Sequence, residues 1–168
     1  MMRACAGEPE GATRLVPAAS VSIGLAQLNS VIGDSAANLE RAEEYIARAA
    51  AAGCDLVMFP ELYLQGYRAD DLYADIAEPI PGPTTQRLAE LAERHDLYIV
   101  MGMGRREGEF PHPVYNSLCF VGPEGLLGSY DKVHLGTFHP YIEGVYFAPG
   151  QRASLRHALW AGEPADLL

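Results

Sequence analysis

The chain has 168 residues, 49% of them hydrophobic and 20% charged, with a formal net charge of -10. A one-domain length with this much apolar side chain argues against a disordered chain. The acidic balance, with no basic run longer than Arg105-Arg106, argues against nucleic acid or an anionic membrane surface as partner. No apolar run approaches the roughly 20 residues of a membrane span, and Cys5, Cys54 and Cys119 have no CxxC or framework spacing, which fits a reducing cytoplasm.

In chain order, residues 1–19 place Gly, Pro and Glu where a signal peptide needs an unbroken apolar core, so they are expected to be a disordered leader. SVSIGLAQLN (20–29) alternates and is β-branched at its start, which predicts a strand. The next segment predicts a helix with Asp34 as N-cap, Leu39, Ala42, Ile46 and Ala49 on one face, and Gly53 as its stop. CDLVMF (54–59) is a short, wholly apolar run of the kind found in a sheet covered on both faces. IPGPTTQRLAELAERHD predicts a second helix, with Pro83 in the first turn and Leu88, Leu91 and Ala92 facing inward. LYIVMGMG (97–104) reads as a buried strand. VYNSLCFVG and LLGSYDKVHL, joined by Pro123-Glu124-Gly125, read as a β-hairpin. This order predicts an α/β layer protein with a mixed sheet.

Two ionisable residues stand where such a sheet presents chemistry. Glu61 follows the apolar run directly, and Lys132 lies near the end of a later strand; residues just past strand ends line the crevice of an α/β sheet. Brought together, they are suited to act as a base and an oxyanion donor. On spacing alone a salt bridge at the sheet rim is the simpler account. GMGR (102–105) lacks the third glycine and following helix of a phosphate loop. His134, His139 and Glu143 suggest a metal site only weakly, because Pro140 interrupts helical geometry and a polar loop accounts for them. Tyr63, Tyr67 and Tyr73 are candidates to line a pocket or to pack half-buried.

The order AQLN, GD-x3-NLE, DLVMFPEL-x3-GY, PGPTTQRLAELA, YNSLCFVGPEG, YDKVHL and YFAPG resembles the nitrilase, or carbon-nitrogen hydrolase, superfamily from about Ser20 to Gly150. The resemblance implies an α-β-β-α sandwich, incomplete here at the C-terminus, over a 20–150 hydrolase domain. It implies a Glu-Lys-Cys triad in which Glu61 is the general base, Lys132 stabilises the oxyanion, and Glu143 supports the site. The implied reaction is hydrolysis of a small-molecule amide or nitrile C–N bond through a cysteine thioester, needing no metal or organic cofactor. Homo-oligomers are expected of the full-length form. A non-catalytic binding subunit of the same fold, or the glutamine-hydrolysing domain of an ammonia-dependent synthetase, are the alternatives.

No cysteine sits where the family's nucleophile is expected, a few tens of residues after YF-x-PG. Cys54 opens a strand before Glu61, Cys119 lies inside the hairpin, and Cys5 is in the leader. Residues 151–168 are expected to be an aberrant, frame-shifted tail. Read one base late from Leu155, the codons permit FDTP-x-GRVSLLICY, with the Leu167 codon giving cysteine, a line that resembles the family's nucleophile strand. Without that strand the chain is expected to be inactive and to leave an apolar sheet face exposed.

Overall fold

The computed structural model describes residues 20–109, 112–138 and 140–151. The expected leader and all of the expected tail but Gln151 lie outside the described residues. Strands β1 (Ile23–Leu25), β2 (Leu56–Met58), β3 (Tyr98–Arg106), β4 (Val114–Gly122) and β5 (Gly125–Asp131) form one sheet in that order. The β1–β2 and β2–β3 pairs are parallel, and β3–β4 and β4–β5 antiparallel. Parallel neighbours need crossovers, supplied by helices α1 (Ser35–Ala51) and α3 (Pro83–His95). Between them lie a 3₁₀ turn (Asp70–Leu72) and α2 (Tyr73–Ile76); one further turn, α4 (Glu143–Tyr146), follows the hairpin.

Both long helices form as the sequence predicts. The Asp34 side chain accepts from Ala37 N at 3.0 Å and starts α1, and Pro83 opens α3. Helix α1 buries Ala42, Ile46 and Ala49; Leu39 is only half-buried, and its neighbour Asn38 takes the inner position. Buried polar groups need partners, and Asn38 finds three: its Oδ1 accepts from Val31 N, and its Nδ2 donates to Val31 O and Leu64 O. Helix α3 buries Leu88, Leu91 and Ala92 beside Val57, Ile99, Met101, Met103, Cys119 and Val121. Full burial of each large side chain stabilises by roughly 1.5–3 kcal/mol.

The described helical layer covers one face of the sheet. On the other, Leu25, Met58 and Val100 are neighbours across β1–β3, and Ile23 and Leu25 are 52% and 70% exposed. Three boundaries differ from expectation. The first strand shrinks from 20–29 to three residues, because only Ile23–Leu25 pair with β2. The hairpin's second strand ends at Asp131, although Lys132 N still donates to Asn116 O, the next β4 residue in register. Past Pro140, α4 makes a helical turn where a polar loop was expected, closed by Phe147 N donating to Glu143 O.

Candidate active site

Glu61 leaves β2 on a turn locked from both sides. Phe59 N donates to Val100 O, Leu64 N to Gly102 O, and Gly66 N to Leu62 O. The fully buried Gln65 accepts Gly104 N at 2.8 Å and donates to Ile76 O and Gly104 O. Leu62, beside the glutamate, holds φ at +50°, a left-handed backbone that costs a bulky residue about 1–2 kcal/mol and persists only where the surroundings enforce it. Gly102 makes the close approach possible. A Cβ there would lie 2.8 Å from Glu61 Cα and 2.6 Å from Leu62 N, and would collide with the Pro60 carbonyl. GMGR is thus β3 backbone over which the Glu61 turn is laid.

Lys132 is fixed just past β5. Its N–H donates to Asn116 O at 2.8 Å and its carbonyl accepts Gly150 N at 2.9 Å. Asp131, one residue earlier, receives a two-pronged bond from Arg105 at 2.9 and 2.8 Å and a third from Ser117 Oγ. Burial alone would raise the Asp131 carboxyl, but Arg105 and Ser117 hold it below the usual carboxylate range. Arg105 also lies over the Tyr115 ring, 4.4 Å from its centre.

The three ionisable residues singled out in the sequence meet at this edge. Lys132 Nζ lies 2.8 Å from Glu61 Oε1 and 2.9 Å from Glu143 Oε1. The Glu143 side chain is only 7% exposed and accepts two further bonds, from Gly136 N on Oε2 at 2.6 Å and from Tyr67 OH on Oε1 at 3.0 Å. Against the pull of burial, those donors and Lys132 keep Glu143 low. Burial works against the Lys132 charge as well, but the two carboxylates raise it above the ordinary lysine value. Burial and the Glu143 bond push Tyr67 to about 12, so its hydroxyl stays a donor. Glu61, at 44%, faces the open space.

That space is a cleft of about 620 Å³ lined by Glu61, Tyr67, Lys132, His134, Phe138 and Glu143, among others. Of the candidate tyrosines only Tyr67 reaches it; Tyr63 is buried in the main core, and Tyr73 packs on Phe147 at 4.7 Å. His139 lies outside the described residues. Among the described residues no group of three or more His, Cys, Asp or Glu side chains is placed to hold a metal ion. Neither described cysteine is at the cleft. Cys54 packs half-buried against the core, and Cys119 is buried in β4 with its thiol pushed up to about 12 by desolvation.

Sequence reasoning missed Asn116, whose Nδ2 donates to Glu61 Oε1 at 2.6 Å, and Gly136. The asparagine stood in plain view in YNSLCFVG. A polar residue at 4% exposure in an apolar strand was the available signal, but burial is not readable from the letters.

A profile described as carbon-nitrogen hydrolase matches residues 22–158. An (R)-stereoselective amidase of a Pseudomonas species is 37% identical over 149 residues, covering 88% of this chain and 50% of the amidase. A nitrilase of Pyrococcus abyssi is 36% identical over 133 residues, covering 77% of this chain and 48% of the nitrilase. A CN-hydrolase superfamily protein of Xanthomonas campestris, solved with an arsenic adduct in its active site, superposes with a TM-score of 0.69 at 29% identity. That alignment covers 81% of this chain and 48% of the other. The chain spans about half the length of the curated relatives it matches. No helix among the described residues is long and apolar enough to cross a membrane.

Proposed function

The chain belongs to the carbon-nitrogen hydrolase family, and from that premise we propose that residues 20–150 carry the base and cation of a centre that cleaves a small-molecule amide or nitrile. Glu61 is the general base, Lys132 the oxyanion donor, and Glu143 the acid that holds the lysine. The observation that supports this reading is Lys132 Nζ shared between Glu61 and Glu143 at 2.8 and 2.9 Å beside an open cleft.

The chemistry follows from those positions. Glu61 takes the proton of a thiol, and the sulfur attacks the amide carbon while Lys132 holds the oxygen as it becomes negative. The proton passes from Glu61 to the nitrogen, the C–N bond breaks, and a thioester remains. Glu61 then takes a proton from water as its oxygen attacks the thioester carbon, and gives it to the sulfur as the C–S bond breaks and the acid leaves. The sulfur comes from outside the described residues. We propose that the frame-shifted reading of 151–168 supplies it, and the nucleotide sequence across those codons tests this. A one-base-late frame encoding the Leu-Leu-Ile-Cys strand supports the proposal, and any other frame content ends it. Homo-oligomers of a full-length form, in the cytoplasm, belong to the same proposal.

The site itself is tested with the chain as it stands. Ammonia release from small amides is followed with a millimolar small thiol added as the missing sulfur. Thiol-dependent release should fall at least tenfold in Glu61→Gln and in Lys132→Ala. Release that is the same in all three proteins, or absent from all, overturns the reading.

A further inference from the structure

The two oxygens of Glu61 are not equivalent. Oε1 receives Asn116 Nδ2 at 2.6 Å and Lys132 Nζ at 2.8 Å, from two different elements, while among the described residues nothing donates to Oε2. Two donors converging on one oxygen fix the carboxylate plane and concentrate negative charge there. The second oxygen has no donor among the described residues, and Glu61 lines the open cleft. Asn116 also carries Lys132 on its main chain, since its carbonyl accepts Lys132 N at 2.8 Å. One β4 residue therefore sets the base with its side chain and the cation with its backbone. Its burial, at 4% exposure, removes competition from water for both bonds.

Resting on the hydrolase reading above, we propose that Asn116 is a positioning residue that reserves Glu61 Oε2 as the single proton-carrying oxygen. The S–H bond breaks as the Oε2–H bond forms, and the same Oε2–H later gives its proton to the leaving nitrogen. Asn116 and Lys132 stay on Oε1 throughout, so the carboxylate need not rotate between accepting and donating. The charged and titratable groups that share the cleft with this pair are Lys132, Glu143, Tyr67, His134 and Tyr141; the first two touch each other, and Tyr67 is bound to Glu143.

The test reads the hydrogen bond directly. The side-chain amide signal of Asn116 in the ¹H–¹⁵N spectrum of the full chain, assigned by its loss in Asn116→Asp, is followed through an acid titration. It should move as Glu61 takes up a proton, and should stay still in Glu61→Gln, a change at an exposed position that leaves the fold intact. An Asn116 that only fills space in β4 gives a signal indifferent to both, and that result overturns the proposal whatever the activity. In the thiol-dependent assay Asn116→Ala and Asn116→Asp should lose at least tenfold in kcat with less than a threefold change in KM. A loss confined to KM also overturns it. If the amide signal titrates with Glu61 but no amide is cleaved under any condition, the hydrolase reading fails and the proton-carrying role fails with it.

Discussion

Lys132 has three N–H bonds to give, and Glu61 and Glu143 take two of them. Among the described residues nothing takes the third, and under the proposed role it would meet the incoming oxygen, a task for which a lysine suits better than a planar, forked arginine. Removing the ammonium strands a nearly buried carboxylate at Glu143. Lys132→Met should therefore cost about 1–2 kcal/mol by urea denaturation, less than a fully buried pair because the lysine is part-exposed. Glu143→Gln, which keeps the shape and drops the charge, should cost less. The pH response follows from the same residues. Glu143 and Asp131 are held below their unfolded values of roughly 4.3 and 3.9. The stability they add is present above those values and is lost as pH falls through the folded ones. Lys132 is held above its unfolded value of about 10.4, so its contribution is present below that pH and disappears as pH rises past the folded value. The Tm should be level near neutrality and fall below about pH 4, and Asp131→Asn should flatten part of that acid limb.

At the scale of elements, the contact between β3 and the Glu61 turn is the one that admits least change. Gly102→Ala drives a methyl into the Pro60 carbonyl and the Glu61 backbone, and should cost about 2 kcal/mol or more while weakening the Glu61–Lys132 contact. Gly108→Ala is the comparison: no atom of the described residues beyond its chain neighbours lies within 4 Å, so the opposition comes from its left-handed φ of +81°, at about 1 kcal/mol. A difference in Tm between the two variants checks this. Helices α1 and α3 were legible in the letters because Ala42, Ile46 and Ala49, and Leu88, Leu91 and Ala92, repeat with the helical period, and Asp34 and Pro83 mark their starts. The hairpin was legible from Pro123-Glu124-Gly125. The 3₁₀ turn at Asp70–Leu72 and α2 were not, because pieces this short carry no period. Glu61 and Lys132 were marked by their places past strand ends and, with Glu143, given roles by motif resemblance, whereas Asn38, Gln65 and Asn116 owe their roles to partners 26, 39 and 55 residues away. Periodicity is local and cannot register such pairs.

Across the whole molecule, the sheet is dressed unevenly. Helices pack on the face carrying Val57, Ile99 and Met101, while Ile23, Leu25 and Met58 present apolar surface on the other. A hydrophobic dye such as anilinonaphthalene sulfonate should bind the native chain, and its fluorescence should drop in a Leu25→Gln, Met58→Gln double variant. Unchanged fluorescence would mean that this face is shielded in solution. The path of the backbone at the opposite rim matters more for chemistry. Gly150 can abut the Asp131 carbonyl only because it lacks a side chain, and its N–H is tied to Lys132 O. The polypeptide is therefore moored within one hydrogen bond of the lysine at the point where the following residues begin. Lys132 is thus gripped through its own amide by the Asn116 carbonyl and through its own carbonyl by Gly150, so the ammonium's root is set by the main chain on both sides. A methyl at position 150 would meet the Asp131 carbonyl and pry that grip open one residue from the cation.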